Sequence, residues 1–153
     1  MMRPNQTSSV LVFVPALLLA FAVLGVGCCN FNHEWQKAMA NPAPNGDMQG
    51  PWQGRWNSDA NGHNGKLRCV VTKTNEETYR ARFHANYGKI FTFGYIVPLK
   101  VERTPESFHF SGEANLGYFA GGVYQYDGHA EATNFFSTYS NKYDHGTFQM
   151  RRP

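Results

Sequence analysis

In this 153-residue chain, Asp127, His129 and Glu131 stand at i, i+2 and i+4. In an unbroken strand these three share one face and form an acid-base cluster. Gly128 falls among them; read as a turn between two strands, it leaves Asp127 and His129 as turn residues with no nucleophile at hand. Cys69 lies in an apolar stretch, with no helix N-terminus or basic partner to lower its pKa, so it is not expected to act as a nucleophile. None of His33, His63, His84, His109, His129 and His145 has a partner at zinc-site spacing, and no cysteine pair accompanies them. Asp59, Asn61 and His63 alternate oxygen and nitrogen ligands before Gly65, but Val70 occupies the twelfth position, where a calcium loop places its glutamate. That stretch reads as a polar turn. The expectation is a protein without catalytic residues, metal or cofactor.

Ring-bearing residues offer a different chemistry. Tyr124 and Tyr126, in Gly121-Gly-Val-Tyr-Gln-Tyr-Asp-Gly128, put two phenols on one face of a strand. Such a pair can line a pocket mouth, stack on a sugar or meet a protein partner, and it can equally pack in a core with its hydroxyls reaching solvent. Tyr79, Phe83, Phe108 and Phe110 form an inward row from two strands, and Trp56 adds a ring on the first. These seven are the candidate ligand-lining residues.

The elements that must position them are short alternating runs cut by turn residues every eight to twelve positions, the pattern of an all-β sandwich or barrel. Trp52, Gly54, Trp56 and Ser58 share a face of the first run, and Asp59 to Gly65 turns the chain. Leu67 to Thr74 is the next strand. Tyr79, Ala81, Phe83, Ala85 and Tyr87 face inward against Arg80, Arg82, His84 and Asn86. Ile90 to Val97 follows, Pro98 marks a bend or edge, and Leu99 to Arg103 continues the sheet. Phe108 to Ala114, Gly121 to Asp127, His129 to Phe136 and Thr147 to Arg151 complete about eight to ten strands. Short connections favour a meander, and with no helix to cover its edges the meander must close. The predicted fold is all-β, an antiparallel up-and-down barrel of about eight strands. Between Gly50 and Pro153 stand 19 aromatic residues against 11 of Val, Leu, Ile and Met, so its interior is aromatic. A barrel of eight strands is filled by side chains or holds one small ligand. Large rings push toward the filled case unless Gly112, Ala114, Ala81 and Ala85 leave room.

Gly54-Arg55-Trp56 on the first strand, with Arg151 or Arg152 on the last, resembles the calycin group of lipocalins and avidins. Gly54-Arg-Trp-Asn-Ser58 and Asp144-His-Gly-Thr-Phe148 look like the two ends of an avidin-type barrel. The resemblance implies neighbouring first and last strands and an arginine, Arg151, laid over the tryptophan face to close one end. Such a cation-π contact is worth about 0.5–2 kcal/mol. It implies the architecture and not biotin, because an avidin pocket draws tryptophans from several strands and this domain has only Trp52 and Trp56.

Ahead of the barrel, Arg3 opens a short polar start, an apolar run follows from Val10 to Val26, and Gly25-Val26-Gly27-Cys28-Cys29 ends it. This is the order of a secretory signal, and it resembles the lipobox of bacterial lipoproteins, with Gly25 where leucine is usual. The resemblance implies lipid attachment at Cys28. Simple cleavage after Gly27, or an uncleaved anchor near the ~18-residue spanning threshold, remain open, and all three place the rest of the chain outside the cytoplasm. The predicted organisation is a signal over 1–27, a lipid-anchored, Pro-containing tether over 28–49 that stands the domain off the membrane, and the barrel over 50–153. Phe31 and Trp35 then read as incidental rings of the linker, with contact to lipid headgroups as the alternative.

With the signal removed, 13 basic residues face 11 acidic ones, and Lys66, Arg68, Arg80 and Arg82 alternate with apolar residues at strand spacing. That reads as a solvated sheet face and not a phosphate-tracking stripe, so no nucleic-acid partner is expected. Three cysteines make no disulfide framework, although Cys29 and Cys69 remain able to pair. The functional expectation is a membrane-tethered binding barrel for a small apolar or amphipathic molecule. The alternative is a solid barrel that grips an envelope protein or polysaccharide, or inhibits an enzyme, through its loops.

Overall fold

The computed structural model describes residues 30–44, 46–88 and 90–153. Eight strands run β1 (Gly50–Ser58), β2 (Asn64–Lys73), β3 (Thr78–Tyr87), β4 (Phe91–Arg103), β5 (Phe108–Asn115), β6 (Val123–Ala130), β7 (Asn134–Ser140) and β8 (His145–Arg151), with a 3₁₀ turn over Tyr118–Ala120. Each pairs antiparallel with the next, and β1 pairs with β8, so the sheet closes on itself in the predicted order. The alternation in β3 holds: Tyr79, Ala81, Phe83 and Ala85 are buried inside. Tyr87, the last of that row, reaches the rim and is exposed. Cys69 is a free thiol in the interior, and burial pushes its pKa well up despite the charge of Arg80. Cys28 and Cys29 lie outside the described residues, as does the whole signal segment.

Several sequence expectations need correction. Gly128 is not a turn. β6 runs through it because a Cβ there would stand 2.7 Å from the Phe110 ring and 2.2 Å from the Phe136 carbonyl, so only glycine lets β6 lie so close. The turn falls instead at residues 131–133, and the seventh strand starts at Asn134. β4 likewise continues through Pro98, but its ladder with β5 stops beside it, at Leu99 opposite Gly112. Proline has no N–H to carry the ladder on. Toward Phe91 the β4–β5 seam is therefore unpaired.

The largest correction concerns residues 30–40, expected to belong to the linker. Residues 30–40 form a helix, α1, ended by Asn41, whose backbone N–H and side-chain amide both donate to the Lys37 carbonyl, at 3.1 and 2.9 Å. Pro42 and Pro44 then prevent its continuation. Phe31 and Trp35 are buried with Val70 against the outside of the barrel. The basic face of β2 and β3 is its seat: Arg68 lies 5.2 Å over Phe31 and 5.3 Å over Trp35, and Glu34 pairs with Arg82 at 2.8 Å and Arg80 at 3.4 Å. Apolar-cationic alternation that reads as solvated thus holds a helix through stacking and charge. Beyond α1 the chain crosses to one end of the barrel and buries Met48 there completely.

A ring-lined pocket at the barrel mouth

The two ends of the barrel differ. At the end that carries the β2–β3, β4–β5 and β6–β7 turns, the interior is full. Trp52 is wholly buried, donates Nε1–H to the Met48 carbonyl at 2.9 Å, and packs on Phe135 at 5.6 Å between centroids. Phe135 stacks on Phe110 at 4.7 Å, and Tyr79 meets Phe108 edge-on at 6.5 Å. Arg152 closes this end, its guanidinium 3.7 Å from the Trp52 ring centre. It is fixed there by donating to the carbonyls of Gln49 at 2.6 Å and Asp47 at 2.7 Å. The closing arginine is therefore Arg152 and not Arg151, which is exposed. Strand parity accounts for this: Phe148, Met150 and Arg152 share the inward face. The tryptophan it covers is Trp52, of the earlier Gly50-Pro51-Trp52, and not Trp56. Both tryptophans face inward, and the two Gly-x-Trp triplets differ only in depth.

At the opposite end, the mouth, a pocket of about 370 Å³ opens. Tyr95 and Tyr126 line it, and the buried Phe83 ring stacks on them at 5.2 and 6.3 Å. Tyr124, Tyr139 and Phe148 form one wall, with Tyr139 at 5.0 Å from Phe148. Trp56 forms another, stacked 5.8 Å from Tyr87 at an interplanar angle of 12°. Gly65 makes that wall possible: it lies opposite Trp56 across β1–β2, and a Cβ on it would stand 2.7 Å from Trp56 Nε1. Trp56 instead donates to the Asn86 carbonyl at 2.9 Å. Ala85 also lines the pocket, so a methyl group leaves the room where a larger side chain would fill it.

The polar groups are few and set in place. Tyr87 Oη lies 2.6 Å from His63 Nδ1, Tyr139 donates to the Asn57 carbonyl at 3.2 Å, and Ser58 donates to Asp144 Oδ1 at 2.5 Å. Burial pushes the phenols of Tyr95, Tyr126 and Tyr139 well up. For Tyr139, and for Tyr124 to a smaller extent, the Asp144 carboxylate adds to the effect of burial. All four keep their protons at neutral pH and can donate hydrogen bonds as well as accept them. Among the lining residues Asp144 is the one carboxylate, and no Lys or Arg joins it.

The open β4–β5 seam adds a side cleft of about 410 Å³, which shares Phe93, Tyr95, Leu116 and Ala120 with the mouth pocket. A larger hollow, about 600 Å³, is a shallow depression on the outer face edged by polar residues such as Lys100, Glu113 and Asp127, and it encloses nothing.

Of the seven lining candidates, Trp56, Tyr124 and Tyr126 meet in the pocket, and Phe83 stacks on Tyr95 and Tyr126 without lining it. Tyr79, Phe108 and Phe110 belong to the other half of the barrel and do not line this pocket. Tyr95, Tyr139 and Phe148 were missed. Their signal was alternation in β4, β7 and β8: Tyr95 with Val97 and Leu99, Tyr139 with Phe135 and Ser137, Phe148 with Met150. Asp127 and His129 do share an outer face now that β6 is continuous, while Glu131 lies beyond its end. His129 faces His109 at 6.3 Å, over a groove of about 140 Å³ that Asp127 and His109 border. Among the described residues no three His, Cys, Asp or Glu side chains gather as a metal site.

Comparison with protein-family models, with curated proteins and with solved structures finds no match to this chain.

Proposed function

We propose that this chain is a membrane-tethered, extracytoplasmic binding barrel for a small amphipathic molecule, held in the mouth pocket. The observation that carries this reading is the ring-lined hollow above a filled half. A volume of about 370 Å³ falls within the range of small-molecule sites, which are mostly apolar with a few placed polar groups. It favours a carrier over a solid interaction barrel. The closed eight-stranded meander with an arginine-capped tryptophan is also what a calycin-like carrier needs. The ligand's apolar part lies between Trp56, Tyr126 and Phe148, and its polar part accepts from the phenols. With Asp144 as the single charge, the pocket suits a neutral or cationic head and opposes an anionic one. Lipid attachment at Cys28 supplies the tether in this reading.

The test is titration of the full chain with Nile red, a neutral dye, and with the anionic dye anilinonaphthalene sulfonate. Nile red should saturate near one per chain and bind more tightly than the anionic dye. Ala85→Leu should abolish saturable binding while the protein stays folded. Nile red binding that survives Ala85→Leu places the dye elsewhere and overturns the assignment.

A further inference from the structure

We infer that the mouth of the barrel seats on the bilayer from which the chain emerges, with its apolar rim in the lipid interface. The inference rests on the tethered reading above and adds an orientation and a docking surface.

The rim comes first. Ile90 is 84 % exposed, Phe91 70 %, Tyr118 91 % and Phe119 102 %. Tyr87, Phe93, Val123 and Tyr143 are exposed beside them, at the strand ends and loops of the same end, and Ile96 is exposed at the side cleft. Among the described residues, Met39 on α1 is the one other large hydrophobic side chain so exposed. Scattered apolar residues need no explanation, but a contiguous patch at one end marks a contact surface. Tyrosine and phenylalanine on that rim suit the boundary between headgroups and acyl chains; the carboxylates of this end, Asp59 and Asp144, stand in the β1–β2 and β7–β8 turns.

The direction of α1 then selects the occupant. At its start Phe31 stacks on His84 at 4.8 Å, and Asn32 accepts from Arg68 at 3.2 Å. One turn later Glu34 reaches Arg80 and Arg82, and the chain continues to Asp47 and Gln49 at the closed end. The described part of the helix thus runs from the mouth side toward the closed end. His84 is three residues from the mouth end of β3 and six from the other end, about 10 and 20 Å at strand rise. Cys28 precedes residue 30 by two positions, which span at most about 7 Å. Val26, the last residue of the apolar run, precedes it by four, at most about 14 Å. Either attachment is too short to let the closed end face the membrane that holds it. The mouth is the nearer end and the apolar one, and the side cleft beside it opens at the same level. A ligand resident in the bilayer would then reach the pocket without crossing water.

Two full-length variants test this, Phe119→Trp on the rim and Glu106→Trp in the β4–β5 turn at the closed end, both at exposed positions. Each is reconstituted into phosphatidylcholine vesicles with and without dibrominated acyl chains, and its emission is compared with that of the unmodified chain. Phe119→Trp should lose its added emission in brominated vesicles and keep it in plain ones, whereas Glu106→Trp should keep it in both. Quenching of Glu106→Trp, equal quenching of the two, or no quenching in protein that floats with the vesicles overturns the docking and leaves the tether standing. Protein that fails to float overturns both. Nile red titration of the same variants before reconstitution reads the pocket separately, so a lost ligand site is not mistaken for a lost orientation.

Discussion

Replacing each inward tryptophan of β1 by alanine separates the filled end from the open one. Trp52 is wholly enclosed, gives its N–H to Met48 and carries Arg152 on its face. Trp52→Ala leaves a sealed void, orphans the Met48 carbonyl and strips the stacking from a guanidinium tied to that end. Truncating a large buried aromatic costs about 3–5 kcal/mol, and the lost hydrogen bond and cation-π contact push this case to the upper limit, about 5 kcal/mol. Trp56 is 7 % exposed and borders a pocket already open at the mouth. Its removal enlarges a space that water can enter, and it frees the Asn86 carbonyl near solvent, so about 3 kcal/mol is expected. Urea unfolding followed by circular dichroism measures both, with the slopes compared to show that the denatured states match. A loss at Trp56 equal to or larger than that at Trp52 would refute the division of the barrel into a filled and an open half.

Arg152→Lys should destabilise the closed end by about 1–3 kcal/mol in the same assay, because one ammonium cannot both lie flat on the ring and serve several carbonyls. His84 lies buried under Phe31 with Nδ1 unpartnered, and burial, then Arg68 and Arg82, lowers its pKa; Glu34 pairs with Arg82 on the same side of the sheet. A lowered folded-state pKa means the unfolded chain binds the proton first, so this stability is complete above the unfolded value of about 6.5 and falls as pH drops below it. Urea midpoints between pH 7 and pH 5 should fall less in His84→Phe than in the unmodified protein. The buried, pKa-raised Cys69 thiol should react with a thiol reagent only at the rate of unfolding, read by mass spectrometry after mild alkylation. Cys28→Ser should release the domain from membranes and abolish fatty-acid labelling, and an unmodified chain that takes no label would end the lipidation reading.

The barrel was legible from residues alone because strand alternation has a period of two and reports directly which side chains face inward. Tyr79, Ala81, Phe83 and Ala85 read as one buried row, and they are one. Parity also pointed to Arg152 and to Tyr95, Tyr139 and Phe148, once the strands carrying them are placed. What alternation does not carry is depth along the barrel axis, which depends on register and shear around the closed sheet. Phe108 and Phe110 face inward as surely as Tyr126 does, yet the β5–β6 and β6–β7 registers carry them to the filled half and Tyr126 to the pocket. Gly128 was misread for a related reason: a glycine that ends a strand and one that admits a neighbouring ring look alike until Phe110 and Phe136 are in place. The helix over residues 30–40 was hidden more completely. Its two buried rings are too few to mark an amphipathic face, and its seat is a row of arginines on strands about forty residues away. Only the folded barrel brings Arg68, Arg80 and Arg82 to Phe31, Glu34 and Trp35, and stacking, charge and burial at that contact stabilise a helix that local propensity alone would not.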